Sequence, residues 1–149
     1  MKDSSIRADV LEWLGDAYKV ILPTAGTGGS MSIIDCLSPL GSSTPRHIHE
    51  REDETFVVLT GQCEFWLEGG TFIRGPGETA FIPRGKNHAL RVIGHEPSRH
   101  LVIMTPGGFE GFFADMAKGQ FCIPEDMDRI GASAAVHGLR FTGPPLGAE

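Results

Sequence analysis

The chain has 149 residues, a length that fits one domain whose core needs no disulfides. Its hydrophobic fraction of 40% and charged fraction of 21% are those of an ordinary soluble globular protein. The formal net charge of -6 argues against a nucleic-acid partner, because phosphate binding is driven by Lys and Arg. Residues 1–16 contain acidic side chains and no long apolar run, so we expect a cytoplasmic protein without a signal peptide or a membrane span.

The first two thirds of the chain predict one helix followed by many short strands. Ile6, Val10, Leu11 and Leu14 recur at helical spacing, which predicts a helix over residues 5–14. Short apolar or alternating runs, separated by Gly and Pro turns, then predict strands over 18–22, 30–38, 55–59, 62–68, 71–74, 79–82, 88–93 and 99–105. Such a density of short strands is typical of an antiparallel barrel or sandwich.

The composition changes after residue 105. Phe109, Phe112, Phe113 and Met116 recur at helical spacing, and a second helix is predicted from Pro124 to about residue 136, with Pro in its first turn. We therefore predict a single domain over residues 1–149, with a barrel over about 17–105 and a helical C-terminal extension over about 106–149.

Four potential metal ligands stand in two blocks of the predicted barrel. His47 and His49 are two residues apart on a strand, so both imidazoles can point to one side. Glu54 follows a polar turn at the start of the next strand, and His88 begins a third strand. Three imidazoles and one carboxylate suit iron, copper, zinc, nickel or manganese and leave room for water or a substrate. A polar network without metal is the alternative, but unpaired ligand groups in an apolar barrel would be costly.

The two blocks resemble the two motifs of the cupin superfamily. The matching positions are Gly41, His47, His49, Glu54 and Gly61 in the first motif, and Gly77, Pro83, Gly85 and His88 in the second. Val92 stands where many members carry Asn, which is not a metal ligand in the family. The resemblance implies an all-β fold, the double-stranded β-helix or jelly-roll barrel, with the predicted helices at its two ends. The wider sequence resembles a group of small bacterial cupins described as quercetin dioxygenase-like.

That resemblance implies a reaction. In such dioxygenases the metal binds an enolate or flavonol-type oxygen and then dioxygen, and the ligand Glu is the base that takes the substrate proton. Carried over, this makes Glu54 both a metal ligand and the general base. We expect an apolar wall that suits a flat organic substrate, formed by Phe56, Val58, Phe65, Leu90 and Val92. Phe109, with Phe112 and Phe113, either packs on the barrel or gates the substrate.

The leading hypothesis is a metal-dependent dioxygenase acting on a small enolisable or phenolic compound. The alternatives are a metal-dependent isomerase, cyclase or lyase that does not use dioxygen, and a non-catalytic module that binds a small molecule. The resemblance also implies a homodimer, with contacts at Trp66 and the terminal helices.

The remaining histidines and the cysteines match no ligand motif. We interpret His95, His100 and His137 as ordinary surface or loop histidines. The scattered cysteines are expected to be reduced, buried thiols, and they are Cys36, Cys63 and Cys122.

Overall fold

Two antiparallel sheets form the body of the protein, whose structure, a computed structural model, describes residues 10–147. In chain order the strands are β1 (Val10–Trp13), β2 (Asp16–Leu22), β3 (Ser32–Ser38), β4 (Pro45–His49), β5 (Asp53–Thr60), β6 (Gln62–Leu67), β7 (Gly70–Arg74), β8 (Thr79–Ile82), β9 (His88–Ile93), β10 (Ser98–Thr105) and β11 (Leu139–Pro145). The helices α1 (Glu110–Gly119) and α2 (Met127–Val136) precede β11, and a short 3-10 turn (Thr24–Thr27) follows β2.

The strand order is that of a jelly roll. The first sheet has the order β1-β2-β3-β10-β5-β8, and the second has the order β11-β4-β9-β6-β7. Neighbours in each sheet are mostly distant in the chain, as in the predicted double-stranded β-helix. Among the described residues, no helix combines the length and apolar character needed to cross a membrane.

Alternation along the strands explains how the core forms. On β10 the side chains of Ser98, His100, Val102 and Met104 are buried, whereas those between them are half-buried or exposed. The same period places Glu54, Phe56 and Val58 of β5 inside. Inward side chains of both sheets and of both helices meet in one cluster, so the interior lies between the sheets and beneath α1 and α2.

Three predictions at the ends of the chain need correction. The part of the predicted helix 5–14 that lies within the described residues is strand β1, which pairs with β2 from Val10↔Lys19 to Trp13↔Asp16. Residues 5–9 lie outside the described part. The extension after residue 105 is only partly helical, because Leu139–Pro145 forms β11 and pairs with β4. The second C-terminal helix begins at Met127 rather than Pro124.

Two smaller expectations can also be compared with the structure. All three cysteines are free thiols; Cys36 and Cys63 are buried as expected, but Cys122 is exposed, so the expectation is wrong for that residue. Trp66 is half-buried, with the guanidinium carbon of Arg46 4.8 Å from its ring centroid. This stacking covers part of the Trp66 ring within the chain itself.

Candidate metal centre and substrate cavity

Three neighbouring strands bring the four predicted ligands together. Strand β4 carries His47 and His49, and the register of the second sheet pairs His47 directly with His88 of β9. Glu54 enters from β5 of the opposite sheet. One ligand atom from each of the four side chains lies within 4.8 Å of the others. The structure therefore assembles all four residues that sequence spacing selects.

Backbone carbonyls fix the orientation of two of the rings. Nδ1–H of His47 donates to the carbonyl of Pro45 at 2.7 Å, and Nδ1–H of His88 donates to the carbonyl of Lys86 at 2.9 Å. Since the proton of each neutral ring is held at Nδ1, the Nε2 atom carries a lone pair. This is the arrangement found around metal-binding histidines, whose second nitrogen is held by a hydrogen-bond acceptor.

The short distance between His88 and Glu54 bears on whether the site can hold a cation. Nε2 of His88 lies 2.9 Å from Oε1 of Glu54, and Nε2 of His49 lies 3.6 Å from the same oxygen. A lone pair on Nε2 and a carboxylate oxygen are both acceptors, so they need a proton or a metal cation between them at this separation. The donor set suits a divalent metal ion, which would be held by two or three neutral imidazoles and one anionic oxygen.

The charge states of these side chains depend on two effects on their pKa values, which are burial and the charges of neighbouring groups. Burial alone would raise the pKa of Glu54, but the surrounding histidines lower it to about 2. Burial lowers the pKa of His47 well below its ordinary value, and the other two imidazoles add to that effect. Burial would also lower the pKa of His88, yet its hydrogen bond to Glu54 and the charge of that carboxylate raise it. Glu54 is thus ionised at neutral pH and His47 is neutral, as ligands must be.

A second carboxylate stands behind His49. Oε1 of Glu52 lies 3.9 Å from Nδ1 of His49, both side chains are 4% exposed, and neither atom has a hydrogen-bond partner among the described residues. Burial raises the pKa of Glu52 to about 7. Buried polar atoms without partners are costly, so a small approach of the two groups would satisfy both. Glu52 was not selected from the sequence, where it belongs to a polar turn.

A cavity of about 210 Å³ opens beside the four ligands. Of the residues predicted to form its apolar wall, Phe56, Leu90 and Val92 line it. Phe109, predicted either to pack on the barrel or to gate the substrate, lines it too. Val58 and Phe65 do not: they are almost completely buried, and they pack in the core. Alternation correctly placed them inside the barrel, but it could not separate core side chains from cavity side chains.

Segments on either side of the barrel complete the wall. Phe109 precedes α1 and places its ring edge-on to His49, with centroids 4.5 Å apart. Phe113 of α1 stacks on Tyr18 of β2 at 4.4 Å. Phe109 and Phe112 are each 3% exposed, so they are well packed in this structure and cover the ligands from one side. The contribution of β1, β2 and β11, through residues such as Trp13, Tyr18 and Phe141, was not predicted.

His100 is the clearest error among the site predictions. Its side chain is 3% exposed and lines the cavity, whereas a surface or loop position was expected. The alternation with Val102 and Met104 on β10 would have placed it inside. His95 is exposed as predicted, and His137 is half-buried, with Nδ1 2.9 Å from the carbonyl of Ser133.

The lining is uncharged apart from two carboxylates. Within residues 10–147 no Lys or Arg contributes to it, and the ionised or ionisable acids are Asp16 and Glu54. A negatively charged group away from the metal would therefore meet no fixed positive charge. The cavity suits an uncharged, largely apolar molecule.

Comparison with known proteins agrees with this architecture. Residues 35–104 match the family model of the cupin domain. The matched segment runs from β3 to β10 and includes all four ligands. The matched segment of the barrel is a cupin domain, and the match supports a protein of the cupin superfamily.

Individual relatives differ in the activities their names state. Quercetin 2,3-dioxygenase of Bacillus subtilis is 28% identical over 96 residues, which are 64% of this chain but only 28% of that protein. The structure of KdgF from Halomonas sp. matches with a TM-score of 0.61 and 21% identity over 69% of this chain and 92% of that chain. DMSP lyase DddQ from Ruegeria pomeroyi matches with a TM-score of 0.53 and 29% identity over 60% of this chain and 46% of that chain. The relatives resemble this chain in sequence or fold, but their names do not state one common reaction.

Proposed function

We propose that the protein is a metal-dependent dioxygenase that acts on a small, uncharged, enolisable or phenolic compound of flavonol type. The observation that carries this proposal is the apolar cavity without Lys or Arg that adjoins three imidazoles and one carboxylate. The similarity to quercetin 2,3-dioxygenase supports the same reaction class. Because the chain covers 28% of that protein's length, the relative's activity comes here only as a proposal.

His47, His49, Glu54 and His88 would hold the metal ion. A bound ion supplies Lewis acidity toward a substrate oxygen and, if redox-active, the electron exchange that dioxygen needs. Iron, nickel, manganese and copper meet both requirements, and zinc meets the first.

The role of Glu54 follows from its charge and position. At neutral pH the side chain is a carboxylate, because the surrounding histidines lower its pKa. In the proposed step the substrate O–H bond breaks, its electron pair stays on the substrate oxygen, and the proton moves to a Glu54 oxygen.

The buried aromatic cover has a second role in this proposal. Phe109, Phe112 and Phe113 exclude water from the ligand side of the cavity, and they present ring faces and edges to a flat substrate. Exclusion of water would limit protonation of the enolate by solvent.

A reaction without dioxygen is the second candidate. The similarity to a lyase, at 29% identity, favours a lyase, isomerase or cyclase in which Glu54 moves a proton and the metal acts only as a Lewis acid. A non-catalytic binding protein is the third, and it would use the same cavity without turnover.

Oxygen consumption separates these candidates. Protein loaded in turn with iron, nickel, manganese, copper or zinc is mixed with flavonols and 1,3-diketones, and dioxygen and substrate are followed together. The proposal expects one dioxygen consumed per substrate, and loss of turnover in Glu54→Gln. Equal substrate loss under anaerobic conditions would favour the second candidate, and saturable binding without turnover would favour the third.

A homodimer and a cytoplasmic location are further proposals, and the first can be measured on the purified chain. For a dimer, we expect light scattering on a sizing column to give twice the chain mass of 16.1 kDa. A mass of a single chain at micromolar concentration would contradict the dimer.

A further inference from the structure

The inner face of the first sheet carries three levels of side chains beside the cavity. At the first level Glu54 of β5 pairs with Met104 of β10. The second level is apolar, with Phe56 opposite Val102. At the third level His100 of β10 pairs with the apolar Val58 of β5. Glu54 and His100 are thus polar side chains on either side of an apolar level, and both line the same cavity.

The third level extends across three strands. His100 pairs with Cys36 of β3, and Cys36 pairs with Tyr18 of β2. All three side chains are buried and line the cavity. None of them belongs to the metal centre, and the proposed reaction does not use them. A buried polar group is costly unless it has a partner, so this row calls for an explanation.

Hydrogen bonding leaves one atom of His100 available. Its Nδ1 lies 3.0 Å from Oγ of Ser98, which in turn lies 3.2 Å from Sγ of Cys63. Within residues 10–147 the Nε2 atom has no hydrogen-bond partner, although the side chain is 3% exposed. Nε2 is therefore the atom of this ring that a bound molecule can satisfy.

The contacts from Cys63 through Ser98 to His100 also indicate which atom donates in each hydrogen bond. A hydroxyl donates well to an imidazole nitrogen and poorly to sulfur. The favourable arrangement is thus Cys63 S–H to Ser98 Oγ, and Ser98 O–H to Nδ1 of His100. The proton of the neutral ring then lies on Nε2, which makes it a donor toward the cavity. Burial lowers the pKa of His100 to about 4, so the ring is neutral at physiological pH.

The other groups at this level exclude an anionic ligand. Oδ2 of Asp16 accepts a hydrogen bond from Tyr18 at 3.1 Å, and Oδ1 accepts one from Ser42 at 2.8 Å. These hydroxyl protons are already used, and the carboxylate repels negative charge. An uncharged acceptor oxygen is what remains suitable for Nε2–H.

We infer that His100, with Tyr18 and Cys36 beside it, forms a second recognition site that binds an uncharged acceptor oxygen of a substrate whose opposite end binds at the metal centre. This inference rests on the proposed function, because it names the class of substrate for the same cavity. The substrate has an enolisable or phenolic oxygen at one end, an apolar middle beside Phe56 and Val102, and a hydroxyl, ether or carbonyl oxygen at the other. His100 selects the substrate and sets its direction.

Binding of three related probes to the zinc-loaded protein tests the inference without turnover by a redox-active ion. The probes are 3-hydroxyflavone and its 4′-hydroxy and 4′-methoxy derivatives, with dissociation constants measured by fluorescence titration. The wild type should bind both derivatives roughly 3- to 10-fold more tightly than the parent, the range for one neutral hydrogen bond. His100→Phe should lose this preference, and His95→Gln, at an exposed histidine, should behave as the wild type.

A second measurement needs no variant at His100. In ¹⁵N spectra of histidine-labelled wild type, the His100 ring should be the Nε2–H tautomer, and its Nε2–H signal should shift with the methoxy probe but not with the parent. Equal binding of all three probes, a preference that survives in His100→Phe, or an Nδ1–H tautomer would overturn the second site and leave the proposed reaction standing. If no probe binds at all, the proposed substrate class falls together with this inference.

Discussion

The barrel segment 35–104 and the segments on either side of it contribute different things to one cavity. The barrel supplies the four ligands and their supporting carbonyls, and all of them lie in the part that matches the cupin model. The flanking segments supply Trp13, Tyr18, Phe112 and Phe113, which close the cavity and lie outside that match. The four potential metal ligands thus lie within the matched segment, whereas a large part of the cavity wall lies outside it.

The two parts are also held together differently. His47 and His88 are fixed by strand register and by hydrogen bonds to backbone carbonyls. The start of α1 is fixed by Glu110, whose carboxylate accepts hydrogen bonds from the backbone and hydroxyl of Thr24 at 2.7 and 2.6 Å. The aromatic side chains then pack by ring contacts. Changes in the flanking segments should therefore alter stability and the cavity, and leave metal binding intact.

The largest effect should come from removing a ring of the aromatic cover. Phe112→Ala deletes a side chain that is 3% exposed and contacts the ring of Trp13, and it should lower the free energy of unfolding by about 3–5 kcal/mol. Urea unfolding measures the change, and zinc binding should persist at one equivalent. Phe81→Ala, at a phenylalanine that is 56% exposed, is the matched control and should cost far less. Equal losses of unfolding free energy in the two variants would show that the aromatic cover stabilises the protein no more than an exposed phenylalanine does.

The next largest effect is a pH dependence caused by His100. Burial lowers the pKa of this histidine to about 4, although the carboxylates of Glu54 and Asp35 oppose the shift. The unfolded chain binds the proton near pH 6.5, so the unfolded state gains protons first as the pH falls. The contribution of neutral His100 to the free energy of unfolding is complete above pH 6.5. It decreases by about 3 kcal/mol between pH 6.5 and 4.

Metal-free protein isolates this effect from metal loss. Urea midpoints are measured between pH 7.5 and 4.5 for the wild type and for His100→Gln. The decrease should be smaller in the variant, while contributions from His47 and His49 are common to both. Parallel profiles would show that His100 does not resist protonation in the folded state.

A smaller effect is expected behind the metal centre. Glu52→Gln removes the carboxylate 3.9 Å from Nδ1 of His49 with little change of shape, and it should weaken zinc binding by roughly 10- to 100-fold, as loss of groups that orient metal-binding histidines does. Competition with a zinc chelator gives the affinity. Glu50→Gln, an exposed carboxylate of the same turn, serves as the control and should leave the affinity as it is. Equal zinc affinities of the wild type and Glu52→Gln would show that Glu52 does not support His49 in metal binding.

The smallest effect should come from an ion pair on the barrel surface. Arg99 donates to Asp35 at 2.7 Å, but its side chain is 54% exposed, so solvent and salt screen the pair. Arg99→Ala should leave the urea midpoint and zinc affinity of the wild type unchanged within error. A clear loss of either would mean that the outer face of the first sheet supports the site more than its exposure indicates.

Sequence spacing selected the four potential ligands because three of them lie close together in the chain and His88 stands in the second motif. His47 and His49 share a face of one strand, and the short turn to Glu54 and the start of β9 leave few alternative placements. Most of the barrel strands followed from alternation and from Gly and Pro turns in the same way. The long-range pairing of β4 with β9 was not needed to select the ligands.

The errors lie where the spacing of apolar residues or the presence of proline competes with strand pairing. Residues Val10, Leu11 and Leu14 fit a helix, yet β1 gains a partner along β2, and that pairing overrides the spacing. Strand β11 contains Gly143, Pro144 and Pro145, which argue against a strand, but it lies at a sheet edge, where proline is tolerated. The cavity walls from these segments could not be predicted, because they depend on contacts between distant parts of the chain, such as Trp13 with Phe112 and Tyr18 with Phe113.

The metal content of the purified protein tests the central claim most directly. The wild type, His49→Ala, Glu54→Ala and the exposed-site control His95→Ala are purified without chelator, and metals are measured by elemental analysis. The account predicts about one equivalent of a divalent transition metal in the wild type and the control, and much less in the two ligand variants. A metal-free wild type that takes up none of iron, nickel, manganese, copper or zinc would contradict it.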